Sequence, residues 1–95
     1  MTLGQMRQRI DRMDRQLLRL LNRRAAAVVR IGQFKKRRGL PVYDGRREEE
    51  VVRRMTRSNR GPLSEESIRG IFRPILRHSR HLQSSAVSTP KGRVR

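Results

Sequence analysis

Ninety-five residues, 34% of them hydrophobic and carrying a formal charge of +17, describe one small domain with a thin core. The chain has no cysteine, which excludes a disulfide framework, a thiolate metal site and a cysteine nucleophile. No apolar run reaches membrane-spanning length and no signal peptide precedes the first helix, so a cytoplasmic protein with no membrane association is expected.

The charge permits binding to nucleic acid or to acidic small molecules. Of the 25 cations 22 are arginines, spread over every polar helix face. Neither a zinc-finger nor an RNA-binding signature accompanies them, nor a basic stripe interleaved with aromatics. A general surface bias explains them better than a dedicated nucleic-acid site.

Thr2 followed by Gln5 fits a capping box, so the first helix should start near Leu3. It runs to roughly Lys36, about 34 residues or ~50 Å, before Arg38-Gly39-Leu40-Pro41 stops it. Met6, Ile10, Met13, Leu17, Leu20, Leu21, Val28 and Ile31 recur at three- and four-residue steps and form one apolar stripe. Three cations interrupt that stripe. Arg24 is seven residues from both Leu17 and Ile31, Lys35 is seven after Val28, and Arg7 is fourteen before Leu21. A charge on a burying face is costly unless an opposite charge meets it, so the helix is built to hold an anion or a partner carboxylate inside the fold. It is also too long for a domain of this size to cover, and it needs another copy or another chain alongside.

Val42-Tyr43-Asp44-Gly45 leads into a second helix expected over 45–59, with Asp44 at its start. Val51, Val52 and Met55 form its apolar stripe, and one turn back Glu48 and then Asp44 fall on the same side, with Arg47 beside them. Asn59-Arg60-Gly61-Pro62 ends the element. A third helix opens with Ser64 as N-cap and presents Ile68, Ile71, Phe72, Ile75 and Leu76 on one face, continued by Ser79, Leu82 and Gln83. Pro74 lies inside it, but Gly70 stands where the proline ring would crowd the backbone, so a tolerated kink is expected. The helical domain should span 1–84, and the Ser, Pro, Gly and basic content of 85–95 reads as a disordered tail.

Eight polar groups on apolar faces thus need each other or a ligand: Arg7, Arg24, Lys35, Asp44, Arg47, Glu48, Ser79 and Gln83. Arginine forks in excess suit a ligand with more than one carboxylate. Asp44 and Glu48 could accept from a ligand hydroxyl, and Lys35 and Gln83 could donate to an oxygen that gains charge in a transition state. The chain offers no Ser/His/Asp order and no phosphate-cradling glycine loop. His78 and His81 both fall on the polar side of the third helix, with no third ligand to make a metal site. Arg7 and Arg24 are ~25 Å apart along one helix and cannot line one small pocket. An antiparallel two-fold dimer would instead bring Arg7 of one chain to the Arg24–Lys35 zone of the other, giving two composite pockets.

Arg7-(x)2-Ile10-Asp11-(x)2-Asp14-(x)2-Leu17-Leu18, Asn22-Arg23-Arg24, Ile31-Gly32-(x)2-Lys35, Pro41-Val42-Tyr43-Asp44-(x)2-Arg47-Glu48, Asn59-(x)-Gly61-Pro62-Leu63-Ser64 and Ser79-(x)3-Gln83 together resemble the all-helical chorismate mutase family. The resemblance covers nearly the whole chain to Gln83. It implies an all-α fold of three helices per chain, one long and two shorter, in an intertwined homodimer that converts chorismate to prephenate with no cofactor. By the same resemblance Arg24, Lys35, Glu48 and Gln83 are the catalytic residues, with Arg24 and the other chain's Arg7 clamping carboxylates. Asp44, Arg47 and Ser79 complete the substrate-binding set.

Four rivals stay open on the residues alone. A relative of the same fold could act on 4-amino-4-deoxychorismate, since an amine would also suit two carboxylates, or eliminate pyruvate from isochorismate. A basic helical module could bind nucleic acid. A fourth possibility is a regulatory partner of another shikimate-pathway enzyme, and a mutase with no appended domain would also have reason to bind one.

Overall fold

The computed structural model describes residues 1–88, with side chains to Ser85. The described chain is three helices and no strand: α1 (Leu3–Arg38), α2 (Gly45–Ser58) and α3 (Glu65–Ser88). Each boundary has a local cause. The Thr2 hydroxyl accepts from the Gln5 N–H at 3.1 Å while the Gln5 side chain accepts from the Thr2 N–H at 2.8 Å, closing the expected capping box. At the other end Gly39 adopts φ 67°, ψ 27°, and the N–H groups of Gly39 and Leu40 return to the carbonyls of Lys36 and Lys35. That left-handed reversal satisfies the last carbonyls of α1 and turns the chain back alongside it. Asp44 caps α2 by accepting from the Arg47 N–H at 3.1 Å, and Ser64 caps α3 by accepting from the Ser67 N–H at 3.0 Å.

α2 ends at Ser58, with Asn59 as its C-cap rather than its last residue. α3 is continuous through Pro74, and a Cβ added at Gly70 would meet open space. The expected tail needs one adjustment: residues 85–88 continue α3, and the rest of it lies outside the described residues.

α3 packs against both α1 and α2, which do not pack on each other. The chain is a thin slab of 54 × 33 × 15 Å, close to a single layer of helices. Its buried apolar residues are Val28, Val51, Val52, Ile68 and Leu76. By contrast Met6, Ile10, Met13, Leu17 and Leu20 on the first half of α1 are all about half exposed. So α1 buries only the end that α3 covers, and more than half of its stripe faces outward. No described helix is long and apolar enough to cross a membrane.

Candidate active site

Where α3 crosses the second half of α1, a cavity of about 230 Å³ opens between the three helices. Its apolar wall is Val28, Ile31, Val42, Val51 and Leu76, and its polar wall is Arg24, Lys35, Asp44, Arg47, Glu48, Ser79, Arg80 and Gln83. Seven of the eight residues singled out from the sequence therefore meet in one place. Four cations against two carboxylates leave the lining with two positive charges in excess.

The α1–α3 side is tightly tied. Arg24 donates through Nη1 to the Ser79 hydroxyl, and that hydroxyl, almost fully buried, donates on to the Ile75 carbonyl at 2.9 Å. The inward serine thus bonds back to its own helix and also holds the arginine. One turn further, Lys35 Nζ donates to Gln83 Oε1 and to the Val42 carbonyl, both at 2.9 Å. The reversal after α1 is what brings Val42 back within reach. Because Gln83 Oε1 accepts from an ammonium, its amide N–H groups are free to serve as donors toward the cavity. Gly32 makes this approach possible: a Cβ there would lie 2.8 Å from the Gln83 Cα.

The α2 side is arranged differently from expectation. Asp44 is exposed and its carboxylate is engaged as the helix cap. Arg47 turns outward to pair with Glu50 at 3.1 Å, so it borders the cavity rather than filling it. Glu48 alone leans in, and it already has a partner. Arg80 Nε and Nη2 donate to its two oxygens at 3.0 and 3.2 Å. The Arg80 guanidinium also lies 4.9 Å from the centre of the Tyr43 ring. The Glu48 carboxylate raises the Arg80 pKa above its ordinary value through this hydrogen bond.

Arg80 is the site residue that pattern reasoning overlooked. It stands one turn after Leu76 on the burying face, but on a chain so rich in arginine another cation reads as solvated. Arg7 is the residue that does not join the others. It lies toward the far end of α1, bordering an apolar groove with Leu3, Met6, Ile10 and Met13. His78, read from the sequence as lying on the polar side, borders a second apolar groove with Leu21, Ala25, Ile75 and Leu82. No cluster of three potential metal ligands exists among the described residues. On the outer side of α2 a wider recess includes Glu49 and Glu50, whose carboxylates are taken up by Arg73, Arg47 and Arg54.

The described chain is thus an all-helical protein with a cationic, hydrogen-bonded cavity between its three helices. The sequence profile described as "Chorismate mutase type II" matches residues 6–84, and the chain belongs to that family. It is 39% identical to the form II chorismate mutase structure from Thermus thermophilus, with a TM-score of 0.85 over 86% of this chain and 93% of that one. The chorismate mutase of Helicobacter pylori, solved in complex with prephenate, superposes with a TM-score of 0.84 at 28% identity, over 94% of this chain and 97% of that one. Among curated relatives, the bifunctional chorismate mutase/prephenate dehydratase of Aquifex aeolicus is 37% identical over 78% of this chain. The match spans 22% of that relative, and the chain covers about a fifth of the length of the curated relatives it matches.

Proposed function

We propose that this chain is a chorismate mutase, rearranging chorismate to prephenate in a pocket that a second copy of the chain completes. The observation that carries the proposal is the convergence of Arg24, Lys35 and Gln83 on one cavity lined by excess positive charge. The reaction is an internal exchange of bonds. The ether C–O bond to the ring breaks, a C–C bond forms between the enolpyruvyl methylene and the ring, and nothing leaves. A protein accelerates it by holding the side chain folded over the ring and by stabilising negative charge on the departing ether oxygen.

Arg24, held by Ser79, restrains one carboxylate in this reading. Lys35 and the Gln83 amide donate to the ether oxygen in this reading, which their mutual hydrogen bond supports by orienting them before substrate arrives. Glu48 supplies acceptor oxygens for the ring substituent. The second carboxylate needs another cation, and Arg7 of a second copy meets that need. Two α1 helices running antiparallel would bury the exposed Met6–Ile10–Met13–Leu17 stripe and carry each Arg7 to the other chain's cavity.

The product also suggests a partner. The Aquifex relative joins a mutase to a prephenate dehydratase in name, and an enzyme that consumes prephenate is the natural neighbour for this one. The direct test of the activity follows chorismate loss and prephenate formation with the purified chain. Saturable, stoichiometric conversion is expected. Chorismate left unconsumed, with salt-dependent duplex DNA binding in its place, would overturn the assignment in favour of a nucleic-acid module.

A further inference from the structure

We infer that Arg80 makes the pocket selective for a ring substituent that is a neutral hydroxyl over one that is a charged amine. The inference rests on the mutase reading and deepens it, because two carboxylates near the ring would otherwise suit either group.

Glu48 has only part of its accepting capacity left to offer. It is the part-buried carboxylate of the cavity, with its side chain 23% exposed. Each of its oxygens already accepts a guanidinium N–H from Arg80. Every carboxylate oxygen can accept a second hydrogen bond, so a ring hydroxyl can still donate to Glu48. The hydroxyl adds no charge, and Glu48 and Arg80 remain a balanced pair around it. An allylic amine is protonated at neutral pH and would bring a third charge to the same spot. Its attraction to Glu48 would be offset by repulsion from Arg80, which sits a hydrogen-bond length behind the same carboxylate.

The surrounding groups do not restore the balance in the amine's favour. Asp44 is exposed, where water screens it, and it is engaged as the α2 cap. Arg47 borders the cavity as a further cation. Arg80 has little freedom to withdraw, because Glu48 grips it in bidentate geometry and the Tyr43 ring lies against its guanidinium. Gly45 contributes by lacking a side chain: a Cβ there would lie 2.7 Å from the Tyr43 hydroxyl, so only glycine leaves the ring in place.

The experiment compares kcat/KM for chorismate and for 4-amino-4-deoxychorismate in the wild type, Arg80→Gln and Arg80→Lys. Glutamine removes the charge while keeping a polar chain of moderate length, and lysine keeps the charge without the fork. The wild type should prefer chorismate, Arg80→Gln should narrow that preference by about tenfold or more, and Arg80→Lys should largely retain it. Glu48→Gln, which leaves Arg80 uncompensated, should widen the preference and so move the ratio in the opposite direction. An unchanged ratio in Arg80→Gln, equal losses of preference in the Gln and Lys variants, or a wild type that prefers the amine would overturn the role of Arg80 while leaving a mutase. A wild type inactive on both compounds would instead overturn the mutase reading itself.

Discussion

Gly32 on α1 meets Gln83 on α3 backbone to backbone, so closely that an added methyl group would lie 2.8 Å from both the Gln83 Cα and its carbonyl oxygen. The same crossing places Lys35 Nζ 2.9 Å from Gln83 Oε1. Helix spacing and site geometry are therefore one quantity at this point.

Gly32→Ala should separate them. Alanine favours the helix by ~1 kcal/mol over glycine, but forcing a methyl into a packed crossing costs ~1–3 kcal/mol. Stability should change modestly while turnover falls by at least about tenfold, because under the proposed mechanism the displaced donors would no longer meet the ether oxygen. Thermal unfolding and kcat measured on the same preparation check this. A variant with full turnover would show that the donors tolerate the shift.

Lys35→Ala and Gln83→Ala should each lower kcat by at least about tenfold, since one donor to a developing oxyanion is typically worth ~3–4 kcal/mol. Neither residue lies on the exposed half of α1, so sedimentation should show the assembly unchanged. Substrate affinity should suffer less than turnover, and a steady-state comparison of KM with kcat separates the two.

Leu17→Asp is aimed at the exposed stripe. Leu17 is 55% exposed in the single chain, so the substitution would be mild if the chain worked alone. In a dimer it would bury an unpaired carboxylate and prevent association. Loss of the dimer should then cost helicity as well as activity, because the five buried apolar residues among those described are a thin core for a separate subunit. Circular dichroism with analytical ultracentrifugation reads both effects.

The ion pairs on the outer face of α2 give the fold a pH signature. The Arg73 guanidinium, through its hydrogen bond and its charge, lowers the Glu49 pKa below the ordinary value of 4.5. Arg47 and Arg54 do the same for Glu50. Protons bind these groups more readily in the unfolded chain, so their contribution is fully present above the ordinary carboxylate range and is lost as pH falls through the lowered folded values. Tm should drop on acidification through that window, and a Glu49→Gln, Glu50→Gln variant should drop less steeply. All three ion pairs are exposed, so added salt should flatten the difference.

Much of this is legible in the sequence because α-helical periodicity and capping chemistry act locally. Thr2, Gly39, Asp44 and Ser64 mark their helix ends by their own chemistry, and the structure places each there. Arg24, Lys35, Ser79 and Gln83 are visible as polar interruptions of apolar faces. Facing direction is harder to read where partners compete. Arg47 belongs to the right turn of α2, but Glu50 three residues on draws its side chain outward. Arg80 is hidden by the chain's abundance of arginine, and what distinguishes it is contact with residues far away in sequence, Glu48 and Tyr43. The end of α3 is not legible either, because composition alone cannot show that a packed helix propagates through Ser85 to Ser88. Arg7 lies apart from the cavity, beside an apolar groove, and only the proposed dimer would give it a place in a site.

That dependence can be measured by mixing two inactive proteins. Arg7→Ala and Arg24→Ala each remove one cation from every composite pocket, so each alone should be nearly inactive. Unfolded, mixed and refolded together in equal amounts, they should form heterodimers in which one pocket holds both arginines and the other holds neither. Statistical exchange then predicts recovery to about a quarter of wild-type turnover. Recovery to that level would place the two arginines in one site across two chains. A mixture as inactive as its components, with heterodimers present, would contradict the shared pocket.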